Sequence, residues 1–164
     1  MDDEHVERKA NVVSVAISLD IGGTKIAAGI VDSAGRVLAR RTIPTLPTRG
    51  GRAVLDDTLA LAQSLSDEAT RNGWQVAGIG ISICELVDPL DNITSEYTIQ
   101  WRNLPIRPLF ETIAPIVIEA DVRAHALAEA RFGAGRSLND FVFVTIGTGI
   151  SSCLVQKGKP HVGA

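Results

Sequence analysis

The stretch Asp20-Ile21-Gly22-Gly23-Thr24-Lys25 sets two glycines between two apolar runs of the chain. Those runs are residues 12–19 and 26–31, so the stretch predicts a tight turn that joins two β-strands. Glycines in such a turn let backbone N–H groups come close to an anion, and the threonine and lysine after them add a hydroxyl and a cation. An aspartate at the start of the turn can hold a magnesium ion through water. The stretch therefore predicts phosphate binding.

The same arrangement returns in Val144-Thr145-Ile146-Gly147-Thr148-Gly149, between the apolar residues 141–143 and 150–155. Both pairs of runs lead into a further glycine turn, at Gly35 and at Gly158. Two hairpins of one design indicate an internal duplication, and duplicated lobes commonly hold a nucleotide between them. Glycine turns also occur in hairpins that bind no ligand, so each turn taken alone leaves both interpretations open.

The composition indicates a protein with one core and argues against several classes of partner. At 164 residues and 45% hydrophobic content, the chain can bury one sizeable core. Its 16 basic and 19 acidic residues give a net charge of -3, which argues against nucleic-acid and anionic-membrane partners. Cys84 and Cys153 lack the spacing of a metal or redox pair, so we expect two buried, reduced thiols. Residues 1–11 lack the apolar core of a signal peptide and no run is long enough to span a bilayer, which predicts a cytoplasmic protein.

The order of predicted elements indicates an α/β fold. Three strands joined by tight turns form an antiparallel meander, and an amphipathic helix over residues 52–72 follows, with Gly73 as its C-cap. Gly78 and Gly80 interrupt the next strand, which predicts a buried central strand with another backbone packed closely on it. The predicted strands are residues 12–19, 26–31, 37–43, 76–84 and 116–118, the later helices are residues 105–113 and 121–132, and a hairpin closes the chain at residues 140–155.

Three antiparallel strands followed by alternating helices and strands predict a ribonuclease-H-like fold. We expect a disordered N-terminus over residues 1–11 and an N-terminal lobe over residues 12–120. Residues 121–164 are expected to form a linking helix and the first hairpin of a second, truncated lobe.

The chain resembles the ROK family of bacterial sugar kinases, within the actin, Hsp70 and hexokinase superfamily. The resemblance is carried by residues 19–25, 101–105, 119–135 and 145–150. It implies the actin-like ATPase form of the predicted fold, with ATP and Mg²⁺ as cofactors and a sugar as substrate. It also implies that this chain is the N-terminal part of such a kinase, with half of the sugar cleft missing. We therefore expect weak or no transfer by the chain alone, and self-association into a homo-oligomer through exposed apolar surface.

The resemblance assigns a role to each of the matching residues. Asp121 corresponds to the family's general base, which accepts a proton from the sugar hydroxyl. An aspartate in that place can also be a simple N-cap of the helix. Asp20 is implied near the metal. The residues implied to bind ATP are Asp20, Gly22, Gly23, Thr24, Lys25, Thr145, Gly147, Thr148 and Gly149.

Three substrate-binding positions depart from the family pattern. Cys84-Glu85-Leu86 replaces a Pro-Gly-Pro loop, Ala120 replaces the asparagine before Asp121, and Tyr97 replaces another asparagine. A site built for hydroxyl groups loses discrimination when its polar partners disappear. The alternative function is therefore a non-catalytic, kinase-derived protein that binds a sugar or a nucleotide.

His125 shares a helical face with Asp121 and Glu129. This spacing allows a metal or acid–base role. A histidine without a second ligand of suitable spacing has little metal affinity, so a position on the helix surface or at the cleft edge is the other interpretation.

Overall fold

The structure is a computed structural model that describes residues 12–147 and 149–162. Its helices and strands are β1 (Ser14–Ile21), β2 (Lys25–Asp32), β3 (Val37–Pro44), α1 (Gly51–Arg71), β4 (Gln75–Ile83), α2 (Ile106–Phe110), β5 (Ile116–Ala120), α3 (Asp121–Phe132), β6 (Asp140–Ile146), β7 (Ile150–Gln156) and β8 (Lys159–Pro160). Short 3₁₀ helices lie at Pro47–Arg49 and Ala134–Ser137. The predicted order from β1 to β7 is confirmed, with differences of a few residues at the ends, whereas β8 and the two 3₁₀ helices were not predicted.

Five strands form the first sheet in the order β3-β2-β1-β4-β5. β1, β2 and β3 are antiparallel neighbours, whereas β4 pairs with β1 and β5 pairs with β4 in parallel. Alternate residues of β1, from Val15 to Ile21, are buried, and the residues between them are more exposed. This period of two places one face of the sheet in the core. α1 covers that face with Val54, Leu55 and Leu65.

α1 follows the predicted amphipathic pattern but ends one residue earlier than expected, with Asn72 rather than Gly73 as its C-cap. Gly73 lies just after the helix with a φ of 71°, and its N–H donates to the carbonyl of Thr70 at 3.0 Å. This left-handed conformation costs glycine little, which explains why the helix stops there. At the other end, the indole Nε1 of Trp101 donates to the carbonyl of Gly51 at 3.0 Å. The segment around Trp101 is thereby held on the first turn of the helix.

The glycines of β4 differ from one another. An ideal Cβ on Gly78 would lie 3.2 Å from the carbonyl of Pro115, so the predicted close approach of another backbone is confirmed there. The prediction is wrong for Gly80, which is exposed and has no atom within 4 Å of an ideal Cβ. The physical reason is that β4 is central in its sheet but buried on one face only.

A second sheet contains β6, β7 and β8, each antiparallel to the next. α3 packs on this sheet through Ala126, which shares a small buried cluster with Cys153 and Val155. The strand–turn–strand–turn–strand order repeats that of β1, β2 and β3, and both predicted outer turns are present, with φ values of 80° at Gly35 and 71° at Gly158. The division at residues 120 and 121 stays a prediction, and residues 1–11 lie outside the described part of the chain.

Within the described residues, no helix is long and apolar enough to cross a membrane.

Candidate functional site

The two glycine turns face one cleft between the two sheets. The cleft has a volume of about 600 Å³. Its lining residues are Gly22, Gly23, Thr24, Cys84, Thr98, Asp121, Thr145, Gly147, Gly149 and Ser151. Turns that lie far apart in the sequence thus meet around one space, together with the predicted general base.

The first turn joins β1 to β2 and is fixed from both ends. The N–H of Gly22 donates to the carbonyl of Lys25 at 3.1 Å. Thr45, just after β3, donates its hydroxyl to the carbonyl of Gly22 at 2.6 Å and its N–H to the carbonyl of Thr24 at 3.0 Å. Thr45 is fully buried, so these hydrogen bonds are shielded from water. The turn is therefore a preformed backbone structure at the cleft wall.

The second turn joins β6 to β7. The N–H of Gly147 donates to the carbonyl of Gly149 at 2.9 Å, which closes the turn. An ideal Cβ on Gly147 or Gly149 would meet no atom within 4 Å, so both glycines border open space. A ligand in the cleft can therefore approach this backbone closely. Thr148, predicted to act with these glycines, lies outside the described residues.

Asp121 is the first residue of α3 and lines the cleft. The N-cap position belongs to Ala120, and no side chain caps this helix, so the interpretation of Asp121 as an N-cap is wrong. Its Oδ1 accepts a hydrogen bond from the N–H of Val122 at 2.6 Å. The helix N-terminus favours a negative charge at this place. A carboxylate acceptor thus stands at the cleft wall.

Asp20, near the end of β1, points to the sheet face that α1 leaves uncovered. Its Oδ1 accepts a hydrogen bond from the Ser82 hydroxyl at 3.0 Å and lies 3.8 Å from Nε2 of His125. Asp20 borders a groove of that sheet face together with Ala27 and Arg40, beside the main cleft. The carboxylate therefore stands next to the cleft and is not part of its lining.

His125 lies where α3 meets both sheets. Besides Asp20, it contacts the ring of Phe143, edge to face, with the ring centres 6.4 Å apart. Glu129, expected on the same helical face, accepts a hydrogen bond from the N–H of Ala134 at 2.8 Å. Among the residues that the structure describes, no three His, Cys, Asp or Glu side chains are grouped to hold a metal ion. His125 is partly exposed beside Asp20 and Phe143 and is not in the cleft lining, and both interpretations of its role stay predictions.

Cys84 is the first residue after β4 and lines the cleft. It is half-buried, whereas a buried thiol was predicted; Cys153 is buried, as predicted. Burial raises the pKa of the Cys84 thiol most, and nearby carboxylates, first those of Glu85 and Asp121, add to the rise, which takes it to about 11. At neutral pH the cleft wall therefore presents a neutral thiol among carboxylates.

Glu85 is buried, and its carboxylate is bound by the loop that follows. Oε1 accepts hydrogen bonds from the N–H groups of Thr98 at 2.6 Å and Ile99 at 2.7 Å. Oε2 accepts from the N–H of Tyr97 at 3.0 Å and from the Ser95 hydroxyl. Burial by itself raises the pKa of this carboxyl, but the hydrogen bonds from Ser95 and from the three backbone N–H groups outweigh it and hold the pKa below its usual value.

The predicted substrate-binding residues Glu85, Tyr97 and Ala120 are not in the cleft lining, although Cys84, the neighbour of Glu85, is. The oxygens of Glu85 are used within the protein, Ala120 is buried in the main core, and Tyr97 is 84% exposed. Lys25 also stands outside the lining, at the start of β2. A ligand contact at these positions stays a prediction.

Three cleft-lining residues, Cys84, Thr98 and Ser151, were not predicted as site residues, and Cys84 was expected only as a buried thiol. Ser151 could have been found, because it pairs with Thr145 across the hairpin and so follows from the register of the second turn. Thr98 gave no comparable signal, since it lies in an irregular segment between β4 and α2.

The donor set of the cleft fits a magnesium nucleotide. Both turns line the cleft, and the second borders open space that phosphate oxygens can enter. Asp121 in the lining, and Asp20 in the neighbouring groove, offer the oxygen ligands that Mg²⁺ prefers. Mg²⁺ is commonly held by one or two carboxylates plus substrate phosphates, which suits a site with few protein ligands.

Known proteins are similar to this chain in sequence and in fold. The model of the ROK family matches residues 16–164. The glucokinase of Streptomyces coelicolor is 32% identical over 92% of this chain and 46% of its own length, and an N-acetylmannosamine kinase of Escherichia coli O1:K1 is 30% identical over 90% and 49%. The crystal structure of a ROK family glucokinase from Streptomyces griseus, in complex with glucose and AMPPNP, has a TM-score of 0.79 and 33% identity over 92% of this chain and 47% of that one.

The chain thus spans about half the length of the relatives it matches. The fold expected from the sequence, an α/β fold of the ribonuclease-H-like, actin-like ATPase type, is confirmed by this likeness. Because the family match covers nearly all of the sequence, the chain belongs to the ROK family.

Proposed function

We propose that the protein transfers a phosphoryl group from ATP to a hydroxyl group of a sugar. One observation carries the proposal: both glycine turns and Asp121 line the same cleft. Relatives that are named glucokinase and N-acetylmannosamine kinase, and a relative crystallised with glucose and the ATP analogue AMPPNP, support the class of reaction.

Each part of the cleft has a role in this proposal. The N–H groups of Gly22 and Gly147 close their own turns, so the backbone of Gly23, Thr24 and Gly149 is left to receive phosphate oxygens. Asp20, beside the cleft, helps to hold the metal through water. When bound, Mg²⁺-ATP supplies the phosphoryl group and a cation that offsets negative charge. The Asp121 carboxylate accepts the proton of the sugar hydroxyl as that oxygen attacks.

The test is release of ADP by the protein as isolated from its native cells, measured with glucose and with N-acetylmannosamine, together with calorimetric binding of Mg²⁺-ATP. The native protein is used because the chain alone is expected to transfer weakly or not at all. We expect Asp121→Asn to lower kcat by about 10² to 10⁴, the usual contribution of a general base, and to leave nucleotide binding in place. Asp56→Asn, on the exposed side of α1, is the control for loss of one carboxylate. Transfer that survives Asp121→Asn with little loss would show that Asp121 is not the base.

A non-catalytic sugar- or nucleotide-binding protein is the second candidate. It is favoured by Glu85 and Ala120, because one has its oxygens bonded within the protein and the other is a buried methyl group. Neither offers a free partner to a sugar hydroxyl. Measurable sugar binding without ADP release would support this candidate over the kinase.

A further inference from the structure

Glu85 connects the residues just after β4 with residues 95–99, further along the chain. It lies two residues after the end of β4, and its four hydrogen bonds all come from residues 95–99. The Ser95 hydroxyl also accepts a hydrogen bond from the N–H of Leu86 at 2.8 Å, which closes the network at the other side. We call residues 95–99 the tethered loop.

The tethered loop reaches the first glycine turn through Thr98. An ideal Cβ on Gly23 would lie 2.9 Å from Cγ2 of Thr98, so the threonine methyl packs directly on the glycine backbone. Thr45 holds the same turn from its opposite end, through Gly22 and Thr24. The turn is therefore held between two threonines, one of which depends on the tethered loop.

The chemistry of the carboxylate suits this role. An ionised carboxylate offers only acceptors, and the four groups that surround it are all donors. Hydrogen bonds to a charged acceptor are about twice as strong as those between neutral groups. A glutamine of the same shape would turn an NH₂ group towards backbone N–H groups and lose acceptors.

We propose that Glu85 is a positioning residue: it holds the tethered loop so that Thr98 fixes the Gly22–Gly23–Thr24 backbone in the shape that receives phosphate. The proposal rests on the proposed function for the ligand of the turn, a phosphoryl donor. The position of the turn itself can be measured without any ligand.

The test compares Glu85→Gln with Glu96→Gln, an exposed glutamate of the same loop. In Glu85→Gln, we expect hydrogen exchange at the Tyr97, Thr98 and Ile99 amides to accelerate about tenfold or more, as expected for a lost hydrogen bond to a charged group. The Gly23 amide resonance should shift, and the KM for ATP should rise about tenfold with a smaller change in kcat. Glu96→Gln should leave exchange and KM unchanged.

Exchange at these three amides that is equal in Glu85→Gln and in the unmodified protein would overturn the proposal. Thr98→Ser keeps the backbone N–H donor and removes the methyl, so it should move the Gly23 resonance while the loop amides stay protected. If Glu85→Gln fails to fold, Thr98→Ser still tests the proposal. An unmoved Gly23 resonance in Thr98→Ser would contradict it. Absence of Mg²⁺-ATP binding in the unmodified protein would instead refute the proposed function, and the exchange and resonance results would still decide the role of Glu85.

Discussion

At the scale of single residues, the carboxylate of Glu85 binds another part of the protein, where the sequence predicted a contact with sugar. The family pattern has a Pro-Gly-Pro loop at this place, and its replacement predicts an altered substrate site. The structure shows a buried carboxylate with four donors from residues 95–99. Burial of a charge is costly unless it is compensated by hydrogen bonds, and here the compensation comes from the protein itself.

The lowered pKa of Glu85 makes the stability of the fold dependent on pH. A carboxyl group whose pKa is lower in the folded than in the unfolded chain stabilises the fold above its ordinary value of 4.5. That stabilisation is lost as the pH falls through the folded pKa. Urea unfolding between about pH 6 and pH 3 should therefore show a smaller loss of unfolding free energy in Glu85→Gln than in the unmodified protein. Parallel curves for the two proteins would contradict the lowered pKa.

At the scale of elements, the sequence predicts β1 to β7 and the three α-helices because its local signals agree with the fold, whereas the two-residue β8 carries no such signal. The alternation of buried and exposed residues in β1 and the apolar stripe of α1 follow directly from the order of the residues. Gly73, just after α1, adopts the left-handed φ that is typical of a glycine at a helix end. Gly80 shows the limit of such signals. A strand glycine indicates close packing or an open face equally well, and only the tertiary structure decides between them.

The candidate site could be predicted to the extent that it lies in turns and at element ends. Both glycine turns and Asp121 follow from local patterns and the resemblance, and the structure brings them to one cleft. The contact of Thr98 with Gly23 could not be predicted, because residues 95–99 have no regular structure. The hydrogen bonds of the Glu85 carboxylate come from the same loop, and they could not be predicted from a single sequence for the same reason.

The first turn of α1 depends on a glycine for a steric reason. An ideal Cβ on Gly51 would lie 2.0 Å from the carbonyl oxygen of Gln100, which is backbone and has little freedom to move. We expect Gly51→Ala to lower the unfolding free energy by about 3 kcal/mol, within the range of severe steric substitutions. Gly80→Ala is the matched control, since open space surrounds its Cβ position, and it should change stability by less than about 0.5 kcal/mol. Urea unfolding measures both, and equal stabilities of the two variants would refute the steric argument.

At the scale of the whole molecule, the two sheets present different surfaces. The side of the second sheet away from α3 carries exposed apolar residues, among them Val142, Val144 and Ile146 on β6 and Ile150 on β7. Such patches commonly mark interfaces, so self-association stays a prediction. Light scattering tests it, and a monomeric mass at high protein concentration would count against it.

The proposed function depends most on one arrangement, in which two turns from separate sheets bind a single ligand. The direct measurement is a titration of the isotope-labelled protein with Mg²⁺-ATP, followed by the amide resonances. Gly22, Gly23, Gly147 and Gly149 should shift together with one dissociation constant, while Gly73, outside the cleft, should stay unmoved. Resonances of one turn that shift while those of the other remain fixed, or no shifts in either turn, would contradict the account.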